Sequence, residues 1–232
     1  MFYTVTKKTI IVILIVALVA IAPVTIGISA SYASPKERIT LVIDAGHGGI
    51  DEGVHGTVTG IAESEINLKV SKFLKAYFAD AGFKVVMTRT TDAGLYGIKT
   101  KGFKTRDMNN RKKIIERENP DIVLSVHMNY YTSPVRRGLQ VFYTNTTASK
   151  NLADEIQRIA NININNPITG RNLINLYGDY FMLKCTAAPS VIVECGFLSN
   201  PEDEKLLCSD AYLKELAYYI FSGVISYLNC YV

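Results

Sequence analysis

The sequence lacks the motifs of several large enzyme classes. G-x-S-x-G, a Walker loop and a Rossmann fingerprint are all missing, so nucleophilic-serine, phosphoryl and hydride chemistry have no support. H-E-x-x-H is missing as well, which excludes a zinc pair carried on one helix. No long basic run occurs, and a formal net charge of +4 over 232 residues is too small to argue for nucleic acid as a partner. The four cysteines (Cys185, Cys195, Cys208 and Cys230) show no C-x-x-C spacing, which speaks against a zinc ribbon. They lie in the last quarter, where an exported protein could pair them. Cys195 sits in a core-like strand and reads equally as a buried free thiol. Internal repeats and low-complexity tracts are absent. Histidine is scarce: His47, His55 and His127 are all there is.

The apolar content is ample for one core. Lys7-Lys8 precede an uncharged run over 9–30, long enough to cross a bilayer, with small residues after it. Residues 1–34 are therefore expected to be either a cleaved signal peptide or an uncleaved membrane anchor. Paired lysines before the run place the N-terminus in the cytoplasm and export the rest. Residues 35–232 are expected to form a single catalytic domain.

Within that domain, strand and helix patterns alternate. This predicts an α/β fold: a largely parallel central sheet flanked by helices. Strands are expected at 39–44, 83–88, 121–127, 139–143 and 190–195. Helices are expected at 65–81, 105–118, 147–161 and 211–228. Residues 173–183 are expected to add a strand or strand pair. The polar, turn-rich stretch 94–105 carries Lys99, Lys101 and Lys104 and is expected to be a mobile loop, with a basic rim for an acidic substrate as the lesser reading.

Two of the three histidines stand at the ends of apolar runs. His47 follows 39–43 inside Asp44-Ala45-Gly46-His47-Gly48-Gly49, and His127 follows 122–126. Glu194 ends a third run, 191–193. Open α/β sheets place their chemistry beyond the carboxyl ends of strands. Either histidine alone reads as readily as a hydrogen-bonded structural residue, but together with the acids they read as one site. Glu63 precedes Ile66 by three residues and Val70 by seven, so it points with the apolar stripe toward the sheet. An inward carboxylate is costly unless it is paired or metal-bound. Two plainer readings of Glu63 stay open: it favours the positive helix N-terminus, or the helix begins later. Glu65 reads as a solvated helix face.

Two histidines and one carboxylate make a catalytic zinc site when a fourth position stays open. His47, Glu63 and His127 are the candidate ligands of one zinc ion, with their ligating atoms expected within about 4 Å of one another. Glu194 is the candidate catalytic acid/base. Residue chemistry alone stops at an exported metal-assisted hydrolase.

Four stretches resemble the zinc-dependent N-acetylmuramoyl-L-alanine amidases. Asp44 to Gly49 is similar to that family's Asp-Pro-Gly-His-Gly-Gly. Glu63-Ser64-Glu65-Ile66-Asn67-Leu68 resembles its Glu-Lys-Asp-x-Asn-Leu. Ser125-Val126-His127-Met128-Asn129 resembles its Ser-Ile-His-x-Asn. Val193-Glu194-Cys195-Gly196-Phe197-Leu198-Ser199-Asn200 resembles its Val-Glu-x-Gly-Phe-Leu-Ser-Asn. The resemblance spans roughly 39–227 and implies His47, Glu63 and His127 as zinc ligands and Glu194 as catalytic. Ala45 and Cys195 depart from the usual Pro and Thr, and Met128 and Tyr130-Tyr131 are bulkier than usual, which touches groove shape.

Within the family, the chain is most similar to the spore-cortex amidases of endospore formers. That subgroup implies stripping of stem peptides from peptidoglycan and functional pairing with a muramic acid deacetylase that makes the δ-lactam read at germination. It also leaves room for an accessory or activator protein. The implied location is the outer face of a bacterial membrane, or secretion, with the spore cortex and intermembrane space included. The competing readings are a vegetative autolysin, a non-catalytic muropeptide-binding protein on the same fold, and a zinc carboxypeptidase acting on the stems.

Overall fold

The computed structural model describes residues Arg38–Val232. The expected signal or anchor over 1–34 lies outside the described residues. Among those described, no helix is long and apolar enough to cross a membrane.

Six strands form one sheet in the order β2-β1-β3-β6-β4-β5. They are β1 (Thr40–Ala45), β2 (Lys84–Met87), β3 (Ile122–Asn129), β4 (Gln140–Tyr143), β5 (Leu176–Tyr177) and β6 (Ser190–Phe197). The first four in that order run parallel, as expected of buried apolar runs joined through helices. β4 runs antiparallel to β6, and the two-residue β5 runs parallel to β4. So 173–183 yields one very short strand and a 3-10 turn, Met182–Lys184.

The helices are α1 (Glu63–Asp80), α2 (Phe103–Glu118), α3 (Thr147–Ala160), α4 (Asn166–Thr169), α5 (Pro201–Leu207) and α6 (Asp210–Tyr231). α3 continues into α4 through a π-helical turn, Asn161–Asn165. That stretch is asparagine-rich and has no helical periodicity to announce it. Asn165 instead bonds both backbone groups of Leu139: it accepts from the amide at 2.7 Å and donates to the carbonyl at 2.9 Å.

Alternation along the strands decides which face each residue joins. Leu41, Ile43 and Ala45, with Leu124, Val126, Val191 and Val193, are fully buried in the large core beneath α1, α3 and α6. The alternate residues Val42 and Val123 pack on the opposite face with Ile115, Met182 and Cys185. The buried stripe of α1 is Ile66, Val70, Leu74 and Phe78, with Phe73 and Tyr77 at its edge. α1 has no side-chain cap. Its first amides donate to the Val54 and Glu52 carbonyls, which ties the helix start to the loop after β1.

The stretch 94–105 is stitched down. Arg106 donates to the carbonyls of Tyr96, Ile98, Thr100 and Lys101, and Asn110 donates to that of Leu95. The Tyr96 hydroxyl accepts from the Ile50 amide at 3.0 Å. The expectation of a mobile loop missed these bonds because they come from helix α2 and, for Tyr96, from the loop after β1, not from the turn-rich stretch itself. All four cysteines are free thiols, with Cys185 and Cys195 buried.

Candidate functional site

His47 sits on the turn that leaves β1, with a positive φ of 59°. A non-glycine residue held there is strained, and such strain persists where the surroundings over-determine it. Two buried arginines do so. Arg89 donates to the carbonyls of Ala45 and Gly46 at 2.9 and 2.8 Å and also reaches Ser64. Arg111 donates to the carbonyls of Ala45 and His47. Gly46 is required by close approach: a Cβ there would run into the His127 ring.

Arg111 is itself anchored by the carboxylates of Asp44, at 2.7 Å, and Asp107, at 2.5 Å. The hydroxyls of Thr88 and Ser125 donate to Asp44 at 2.7 Å each, so this buried carboxylate has a partner on both oxygens. Burial raises the Asp44 pKa, but the Arg111 charge and these hydrogen bonds win and hold it at about 2.

Glu63 is the first residue of α1 and is 2 % exposed. Its carboxylate accepts from the Val54 amide at 3.0 Å, the Met128 amide at 3.1 Å and Asn67 Nδ2 at 3.3 Å. His127 Nδ1 lies 2.9 Å from it and His47 Nε2 lies 3.3 Å from it. Burial works against the charged form, yet the two imidazoles hold Glu63 far below the usual carboxylate range. Glu65, two residues on, is exposed and pairs with Lys69.

The two histidine rings meet edge to face, with centroids 5.1 Å apart. Burial pulls the His47 pKa down, but the carboxylates of Asp51 and Glu63 outweigh it and raise it to about 9. Asp51 lies 3.1 Å from His47 Nδ1 without a well-aligned hydrogen bond, and Lys104 pairs with Asp51 at 2.9 Å. The lysine expected on a basic rim is thus neutralised by its neighbour. His55 pairs with Glu52 on the surface, outside the cluster.

His127 on β3 stands directly opposite Glu194 on β6, just before an irregularity in that ladder. Both line a cavity of about 310 Å³ together with His47, Tyr180 and Phe181. Burial pushes the Glu194 carboxyl up to about 7 against the opposing pull of His127.

One donor atom each from His47, Glu63 and His127 lies within 4.8 Å of the others, a looser cluster than the expected 4 Å. Two imidazole nitrogens and a carboxylate oxygen suit zinc or a similar divalent cation. One buried polar atom at the site, Glu194 Oε2, has no hydrogen-bond partner, as expected of a pocket shaped around a further charged group. The protons favoured on both imidazoles are what a cation would displace. The donor set therefore fits a metal ion.

Sequence reasoning missed Arg89, Arg111 and Asp51. Arg111 did leave a trace: it falls in the stripe of α2 with Asp107 and Ile115, the three residues that helix buries.

Comparison with known proteins gives a consistent picture. Residues 41–226 match the family described as N-acetylmuramoyl-L-alanine amidase. The germination-specific N-acetylmuramoyl-L-alanine amidase of Bacillus subtilis is 32% identical over 206 residues, covering 85% of this chain and 83% of that protein. AmiA of Escherichia coli, an N-acetylmuramoyl-L-alanine amidase, is 26% identical, covering 87% and 82%. Among solved structures, the CwlD amidase from Clostridioides difficile, determined in complex with the GerS lipoprotein, superposes with a TM-score of 0.78 at 32% identity, covering 83% of this chain and 99% of that one.

Proposed function

The chain belongs to the N-acetylmuramoyl-L-alanine amidase family, and from that premise we propose that it is an exported zinc enzyme that strips stem peptides from spore-cortex peptidoglycan. The observation that carries the reading is the convergence of His47, Glu63 and His127 within 4.8 Å, with Glu194 facing His127 across the sheet.

His47, Glu63 and His127 would hold the ion. When bound, zinc supplies a Lewis acid for the scissile carbonyl and lowers the pKa of water at neutral pH. Glu63 would bring the negative charge, its carboxylate oriented by the Val54 and Met128 amides and Asn67 Nδ2. Glu194 takes a proton from the attacking water and delivers it to the departing L-alanine amine. Burial works toward the protonated form of this carboxyl, which helps it hold the proton between the two halves of that transfer. Arg89 and Arg111 do no chemistry; they fix the turn that carries His47.

The cortex assignment rests on the similarity to the germination-specific and CwlD enzymes. It makes stripped muramic acid the product, which a muramic acid deacetylase then carries on to the δ-lactam. The CwlD neighbour was solved with a lipoprotein, which supports an accessory protein for this chain too. A substrate in the wall supports an exported domain, acting on the outer face of the membrane or secreted, with the spore cortex and intermembrane space included.

The test is digestion of purified peptidoglycan with mass analysis of the released stems. New L-alanine amino termini are expected. Release of single terminal amino acids would make the enzyme a carboxypeptidase instead. Metal analysis tests the ligands: His47→Ala, His127→Ala and Glu63→Ala lose zinc, while Glu65→Ala retains it. Full zinc content in the first three would sink the assignment.

A further inference from the structure

A second cavity, of about 650 Å³, lies beside the site. Gln140 on β4 lines it, and Gln140 stands directly opposite Glu194 on β6. Opposed residues of an antiparallel pair share a face. The two cavities are therefore one strand apart on the face that carries the chemistry.

Three arginines line this second cavity, Arg136, Arg137 and Arg171, and no acidic residue does. The Arg136 guanidinium lies 4.2 Å over the Tyr131 ring, which fixes its position without neutralising it. Arg137 is held through its Nε, which donates to Asp203 Oδ1 at 3.0 Å, so its terminal nitrogens are left over. Neither Arg136 nor Arg171 has an ion pair among the described residues. The cleft thus keeps a surplus of positive charge even with Asp203 beside it. Scattered surface arginines are simply solvated. Three gathered in one concavity repel one another, and the entry of an anion relieves that repulsion. Ile168 and Phe197 add apolar wall between the charges.

We propose that this cleft is the subsite for the stem peptide, gripping its free carboxylates through Arg136, Arg137 and Arg171. This rests on the amidase reading, in which the stem is the leaving group and must run away from Glu194. Arginine's fork pairs with carboxylates through two parallel hydrogen bonds, and the apolar wall accommodates the alanyl methyl groups between them.

The test is calorimetric titration of the whole protein with a synthetic stem tetrapeptide and with its fully amidated counterpart. The parent is expected to bind the free-acid peptide at least tenfold more tightly than the amidated one. The Arg136→Ala/Arg171→Ala double variant is expected to lose that preference, and Arg136→Lys/Arg171→Lys to keep part of it. Arg137 is left in place because of its bond to Asp203, and thermal melting verifies that the variants are folded. Equal binding of the two peptides by the parent, or an unchanged preference in the double-alanine variant, would overturn the proposal. So would a short poly(glycerol phosphate) that displaces the peptide at equal concentration, since that would assign the cleft to an anionic wall polymer. Failure of the amidase reading shows separately, in the digestion products, so the two ideas can fail independently.

Discussion

The two faces of the central sheet come from the same few strands and are built in opposite ways. One face is dry and hydrocarbon: Leu41, Ile43, Leu124, Val126, Val191 and Val193 meet α1, α3 and α6 with no exposure. The other face, made by the intervening residues, buries Asp44, Ser125 and Arg111, and presents His127 and Glu194 to a cavity. Its apolar cluster is small. One residue of register thus separates the part of the molecule that makes it stable from the part that makes it reactive. The reactive face still contributes stability, but through ion pairs and hydrogen bonds whose value depends on every member being present.

The sharpest test of that contrast is Arg111→Met. It fills similar space but leaves Asp44 and Asp107 buried without their cation. Breaking a buried pair in this way typically costs about 3–5 kcal/mol. The turn carrying His47 also loses a donor, so zinc content falls in the variant that remains folded. Urea unfolding and metal analysis read the two effects. If stability is lost and zinc is not, Arg111 supports the fold alone.

Leu124→Ala, one position from Ser125 but on the other face, probes the hydrocarbon side. A fully buried leucine cut to alanine costs about 2–5 kcal/mol, depending on how far the cavity collapses. Zinc content and specific activity of the folded fraction should stay at the parental level. A loss of activity comparable to the loss of stability would show that the faces are not separable.

What was legible in the sequence follows the same division. The continuous apolar runs over 39–43 and 122–126 announce buried strands, and α1's period of 3.6 turns Glu63 inward, where the structure has it buried against His127 and His47. The polar support was not legible. Arginine is a surface residue by default, and nothing near Arg89 or Arg111 in the chain says that its partners lie over 40 and over 60 residues away. The antiparallel direction of β4 has no local cue, because strand direction depends on the connection and not on the strand's own four residues. β5 is too short for any periodicity to register.

Glu194→Gln gives the cleanest functional contrast. It keeps the side chain's shape and removes the proton acceptor. Hydrolysis is expected to fall about a hundredfold or more, which is about 2.7 kcal/mol in the barrier. Stability stays level or rises, because a buried carboxyl with one unpartnered oxygen becomes a neutral amide. Zinc content stays parental. Steady-state digestion, melting and metal analysis together decide it. Near-parental turnover would mean that another group takes the proton, and loss of zinc would make Glu194 a ligand.

The smallest expected effect separates the faces by pH. Asp44 is held at about 2 in the folded chain, against about 3.9 for an unfolded aspartate. A depressed carboxyl contributes stability that is fully present above its unfolded pKa and is lost as pH falls through its folded one. The window for Asp44 therefore runs from about pH 4 down to about pH 2, and at about 1.4 kcal/mol per pKa unit the loss is about 2.6 kcal/mol. Glu63, also held low, adds acid-labile stability in the same direction. Leu124→Ala touches neither group, so its stability curve against pH should run parallel to the parent's and simply lie lower. Arg111→Met removes the charge that helps to hold Asp44 down and leaves burial opposed only by the Thr88 and Ser125 hydrogen bonds. In that variant the Asp44 contribution shrinks, and the acid limb becomes shallower than the parent's. Urea titrations at steps between pH 5 and about pH 2 measure the three slopes. If the parent and Arg111→Met share one slope, the Asp44–Arg111 pair is not what ties this face to pH, and the difference between the faces reduces to packing alone.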